Sequence, residues 1–203
     1  MYALPGTDRR GPGLTSRAHG HGEQRRGRRV HHQGRAPALT SDPAVIDNVR
    51  RSDAIEIEIG ANDVGYSQSC GTSVACYQPT VPTVEKNLSA IVARAPELTA
   101  GRHVLIVLLD YWSVWLGGQY AGAQGDAYVT AAAAVTDQIN TVIKETASTT
   151  YSGYVDLRVA FKGPDYTYDE THYLSSDGDH PNAAGHQQIA DAAVTVIRSA
   201  LGI

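Results

Sequence analysis

The stretch HVLIVLLD, His103–Asp110, is apolar along nearly its whole length. A strand that tolerates no polar residue on either face is buried on both, and that is the signature of a parallel sheet covered by helices. Its neighbours in sequence fit. Residues 81–98 place Val84, Leu88, Ile91, Val92 and Ala95 at helical spacing. From Tyr128 to Ala147, Val135, Ile139, Val142 and Ile143 share one helical face. AIEIEIG, from Ala54 to Gly60, alternates apolar and acidic residues before breaking at glycine, as a strand running into a loop does. YVDLRVAF, Tyr154–Phe161, reads as a further strand, and a last helix is expected from about Asn182 to Leu201, with Pro181 near its first turn. Strands alternating with helices predict an α/β fold with a doubly wound parallel sheet. In such sheets, sites form beyond the carboxyl ends of the strands.

Composition bounds the rest. At 203 residues and 42% hydrophobic, the chain suits one folded domain with a sizeable core. The net charge of −4 hides an asymmetry: residues 1–51 hold ten arginines against four acids, and the remainder seven bases against seventeen acids. The segment GEQRRGRRVHHQGR, Gly22–Arg35, carries five of those ten arginines. It has no interleaved aromatics and no nucleic-acid-binding motif, so binding to nucleic acid or anionic surfaces is the last of the functional readings. Residues 1–40 are therefore expected to form a basic, Arg/Gly-rich segment too poor in apolar surface to order itself, or an aberrant start such as a wrong reading frame, and residues 41–203 the folded domain. No run approaches the roughly 18 apolar residues of a membrane span, and no signal peptide is visible in the first thirty residues. Cys70 and Cys76 close the short loop CGTSVAC. With no histidine beside them they read as a local disulfide, pointing to an oxidising compartment, or else as two buried thiols.

The chemistry concentrates in DGDHPNAAGHQQIAD, Asp177–Asp191. Asp177 lies three residues before His180, so its carboxylate can hold one ring nitrogen while the other takes a proton from a nucleophile. The same residues also read as a capped turn. Asp177, Asp179, His180 and His186 include metal-type donors, but no second ligand cluster of familiar spacing accompanies them, and no metal is expected. His103, His172 and His186 are read as structural or exposed, His186 packing in the first turns of the last helix. In GAND, Gly60–Asp63, Asn62 follows a strand-ending glycine and can aim its amide at a developing oxyanion; alone it reads equally as a turn asparagine. Trp112, Trp115 and Tyr120 sit in a loop rich in aromatics and glycine, as pocket lining or as lid packing.

Together IGANDVG and DGDHPNAAGH resemble the third and fifth conserved blocks of the SGNH, or GDSL, esterases and acylhydrolases. The cysteine pair after GAND, LLDYWSVWLGG, and YVDL followed by Phe161 and Gly163 resemble secreted actinobacterial members, and the likeness runs from about Asp53 to Ile203. It implies a flavodoxin-like three-layer α/β/α sandwich and a carboxylic ester hydrolase of Ser-His-Asp type. His180 would be the general base, Asp177 its orienting partner and Asn62, with Gly60, part of the oxyanion and substrate site. The family chemistry needs no cofactor. The implied partner is a small ester, lipid or acylated sugar, and the implied protein a secreted monomer. The family's glycine-aspartate-serine block is not in the sequence. Laid over that block, ALPGTDRRGPG puts Thr7 where the serine belongs; Ser16 and Ser41 are the next hydroxyls. Gly34 in HHQGRAPALTSD is the nearest match to the second-block oxyanion glycine. The missing block leaves a second expectation, a chain that keeps the cleft and binds an ester or glycan without turnover.

Overall fold

The computed structural model describes residues 41–203. Thr7, Gly34 and the reading of residues 1–40 lie outside them. Helix α1, Pro43–Arg51, opens the described chain; it begins on Asp42, whose carboxylate accepts the backbone N–H groups of Ala44 and Val45. It is followed by β1, Ala54–Ile57, then α2, Val74–Tyr77, and α3, Val81–Leu98. After β2, Leu105–Leu109, come α4, Gly118–Gly122, and α5, Asp126–Thr149. β3, Gly153–Val155, leads into α6, Leu157–Lys162, and the last helix is α7, Ala183–Leu201.

The strands form a parallel sheet in the order β1-β2-β3, with Ala54 opposite Leu105 and Leu109 opposite Val155. Alternation along β2 sends its side chains to two cores. Ile106 and Leu108 join Ile57, Leu88, Val135, Ile139 and Ile143 under α3 and α5. Val107 and Leu109 pack with Val155, Leu157, Phe161 and Ala193 under α6 and α7. This is the expected α/β fold, a parallel sheet with helices on both faces.

One expected strand is shorter than its sequence suggested. YVDLRVAF is strand only to Val155, and Leu157–Lys162 is helix. Asp156 accepts the Val159 N–H at 2.8 Å, while the Asp110 carboxylate accepts those of Leu157 and Arg158, at 2.6 and 3.3 Å. With its first N–H groups satisfied the chain coils, and Leu157 and Phe161, four apart, face the core. Order also begins before Asp53, with α1, and the aromatic loop contains α4.

Candidate active site

His180 lies on the loop between the turn Thr171–Tyr173 and α7. That loop is tied down at almost every residue. The Ser175 N–H donates to the His180 carbonyl (2.8 Å), and the Ser175 hydroxyl to the Pro181 carbonyl (3.1 Å). Asn182, rather than starting the helix, caps it: its side-chain Oδ1 accepts the Ala184 and Gly185 N–H groups, and its side-chain Nδ2 donates to the carbonyls of His172 and Leu174, both at 2.9 Å. Gly178 turns the loop with φ +75°; a Cβ there would stand 2.5 Å from Tyr120, so only glycine fits. Its carbonyl accepts the Gly117 N–H at 2.8 Å.

Within this frame Asp177 and His180 meet. Asp177 Oδ1 accepts the N–H groups of Asp179 and His180, each at 3.0 Å, and Oδ2 stands 2.9 Å from His180 Nδ1. Slight desolvation works upward on the Asp177 carboxyl, but the two backbone donors and the imidazole outweigh it and hold its pKa below the ordinary value. Both side chains are exposed, His180 at 75%.

Asn62 sits in a tight turn, Ala61–Asp63, directly after β1, with the Asp63 N–H donating to the Gly60 carbonyl (3.1 Å). Its side chain takes no protein partner among the described residues. Two cavities have both Asn62 and His180 in their walls. One, of about 520 Å³, is completed by Tyr66, Trp115, Gln124 and Tyr128. The other, of about 340 Å³, is completed by Glu58, Tyr111, Trp112, Ser113 and His186. The structure thus brings His180 and Asn62 to one cleft, with Asp177 held against His180 outside both walls. Gly60 is buried beneath it, outside both walls.

The two tryptophans are buried wall and packing at once. Trp115 donates its indole N–H to the Val64 carbonyl (2.8 Å) and meets Tyr66 edge-on. Trp112 stacks on Phe161 with ring centroids 4.3 Å apart. His186, expected to pack inside its helix, is exposed and lines the cleft. Cys70 and Cys76 form a disulfide. Directly after its loop the Tyr77 hydroxyl accepts the Ser67 N–H (3.1 Å) and donates to the Gly71 carbonyl (3.0 Å), while the Tyr77 ring packs on Trp115.

Several cleft residues had no signal in the sequence. Ser113 belongs to an aromatic loop, and Tyr66, Gln124 and Tyr128 reach the cleft from separate segments. Glu58 occupies an ordinary strand position, yet desolvation by surrounding protein, then Asp110 and Glu56, push its pKa up to about 7. Since Glu58 keeps solvent contact, the neighbouring like charges are the firmer part of that shift. Behind it, Asp110 is 1% exposed and also pushed up to about 7, by burial above all, against the pull of the Tyr154 hydroxyl (2.6 Å) and two backbone donors.

Residues 4–188 match the model of the GDSL-like lipase/acylhydrolase family, and the chain belongs to that family. Its fold is shared by an acetylxylan esterase from Geobacillus stearothermophilus, at 24% identity over 80% of this chain and 67% of that one, TM-score 0.51. An α/β hydrolase from the metagenome of Lake Arreo, Spain, aligns at 21% identity, covering 81% of this chain and 66% of the other, TM-score 0.52. A lipase from goat rumen metagenome aligns at 18%, covering 78% and 70%, TM-score 0.55. The chain thus spans about two thirds of the length of these neighbours. No curated protein matches it.

Proposed function

We propose that the chain is a carboxylic ester hydrolase whose general base is His180, oriented by Asp177, with the Asn62 amide stabilising the oxyanion. The observation that carries this is the 2.9 Å contact of Asp177 with His180 on a cleft whose walls also contain Asn62. With Nδ1 held by the carboxylate, Nε2 is the nitrogen left to take a proton from an attacking hydroxyl. The hydroxyl oxygen bonds to the ester carbonyl carbon, and the carbonyl oxygen gains negative charge beside Asn62. Collapse expels the alcohol, which receives the proton from His180. Water, deprotonated by the same ring, then releases the acid and restores the hydroxyl. No step calls for a cofactor. The cleft chemistry suits small acyl esters, lipids or acetylated sugars, and the disulfide agrees with an extracellular setting.

Thr7, aligned with the family serine, is the sequence's candidate nucleophile. Ser113, which lines the cleft with His180 and Asn62, is the structure's. Hydrolysis of p-nitrophenyl acetate is expected, falling by about three orders of magnitude or more in His180→Ala. A fluorophosphonate probe followed by peptide mapping identifies the labelled hydroxyl. Hydrolysis no faster than in His180→Ala would favour the second reading, a binding protein that keeps the cleft without turnover, motivated by the absence of a glycine-aspartate-serine block.

A further inference from the structure

A third cavity, of about 430 Å³, shares Trp112 and Ser113 with the smaller cleft cavity but contains neither His180 nor Asn62. Its other walls come from α4, α5, α6 and the segment Tyr166–Glu170.

Two aromatic rings among its lining residues stay in solvent: Tyr166 is 40% exposed and Tyr168 62%. Neither is loose. Tyr166 has a left-handed backbone, φ +59°, and its ring is held 4.4 Å from the Arg158 guanidinium. The Tyr168 ring lies across the backbone of Gly163, where a Cβ would come within 2.7 Å of two ring carbons, and its N–H donates to the Lys162 carbonyl at 2.8 Å. The scaffold behind them is clamped. Glu170, 2% exposed, accepts the Gly118 N–H at 2.9 Å and pairs with Lys162 at 2.7 Å. Thr171 accepts the Gln119 N–H at 2.8 Å.

Charge selects the ligand. Both cations in the wall are already matched, Arg158 by Asp137 and Lys162 by Glu170, which disfavours an anion such as phosphate. Two buried donors of the lining residues, Trp112 Nε1 and Arg158 Nε, have no acceptor among the described residues. Fixed, exposed aromatic faces around a charge-matched polar cavity fit a neutral pyranose ring, which offers an apolar C–H face to stack and hydroxyls to bond.

We propose that this cavity is a subsite for a neutral sugar unit of a glycan chain. It deepens the hydrolase reading, on which it rests only for the link to turnover, by naming an esterified glycan as the substrate class. The shared Trp112 wall would then set the glycan beside the cleft.

The test is titration of the full chain with xylohexaose and cellohexaose, neither of which carries an ester, followed by calorimetry and tryptophan fluorescence. Saturable binding is expected, weakened about tenfold or more in Tyr166→Ala and Tyr168→Ala and retained in Tyr168→Phe, which keeps the ring. His180→Ala should bind as the parent does, so that loss of hydrolysis and loss of binding are read separately. Absence of saturable binding overturns the proposal, as does binding indifferent to both alanine variants. So does a preference for glucuronate or sulfate that fades steeply with salt, which would mark an anion site.

Discussion

Asp177 and Asp110 have nearly the same partners and opposite electrostatics. Each accepts two backbone N–H groups and one side-chain donor, the ring of His180 in one case and the hydroxyl of Tyr154 in the other. Asp177, at the solvent edge, is held below the ordinary carboxyl range; Asp110, sealed under the sheet's carboxyl end, is raised to about 7. Hydrogen bonds alone therefore do not set the charge. Burial does, and it separates a carboxylate at the solvent edge, bonded to the His180 ring, from one that knits β2 to α6.

Asp177 should show the steepest loss of rate. If its charge orients His180, Asp177→Asn lowers kcat for p-nitrophenyl acetate by about 10³- to 10⁴-fold. A loss under tenfold would reduce Asp177 to a loop cap. Asn62→Ala, on the other side of the cleft, is expected to lower kcat by about 10²- to 10³-fold with KM little changed; an effect confined to KM would assign Asn62 to substrate binding instead.

Asp110 should respond in stability rather than rate. Asp110→Ala strands the N–H groups of Leu157 and Arg158 and the Tyr154 hydroxyl, and about 2–4 kcal/mol should be lost in urea denaturation. A loss as small as that of an exposed site would mean α6 does not depend on this carboxylate.

The pH dependence sharpens the contrast further. Folding raises Asp110 from 3.8 and Glu58 from 4.5 to about 7, so in that window the folded chain holds more protons than the unfolded one and stability falls as pH rises. Their contribution is complete below both ordinary values and is lost as pH climbs through about 7. Asp177 has the reverse sign: its contribution is present above 3.8 and is lost as pH falls through its lowered folded value. The urea midpoint should therefore decline from about pH 5 to pH 8 and flatten in the double variant Glu58→Gln, Asp110→Asn. Equal slopes in parent and variant would show that the buried carboxylate is charged throughout. The smallest effect is that of Asp177→Asn on stability, under about 1 kcal/mol at neutral pH, because the site is exposed.

These differences mark where sequence was informative. The buried strand β2 and the long helices α3, α5 and α7 announced themselves, because a face packed on a core repeats along the chain. So did the pairing of Asp177 with His180, which needs only a three-residue turn. Helix α1 is only nine residues long, and its apolar residues Val45, Ile46 and Val49 are half-buried rather than sealed in a core, which leaves a weak signal in the sequence. Helix α6 reads as strand in the sequence because LRVAF combines a β-branched and an aromatic residue, and one of the carboxylates that starts the helix, Asp110, comes from 47 residues earlier. Ser113, Glu58 and the tyrosines of the cleft belong to it only through the packing of the Trp112–Leu116 stretch between the sheet ends, a relation with no local signature.

The hold that Asn182 exerts on both the His180 loop and the first turn of α7 also orders events in time. Asn62 and His180 are 118 residues apart, and a ribosome adding about 5–20 residues per second needs roughly 6–24 s to cover that distance. Through that interval the turn carrying Asn62 exists without its counterpart. The cleft becomes whole only when the chain has passed His180, so a nascent or truncated product ending before it would have every strand of the described sheet and no cleft walled by both residues.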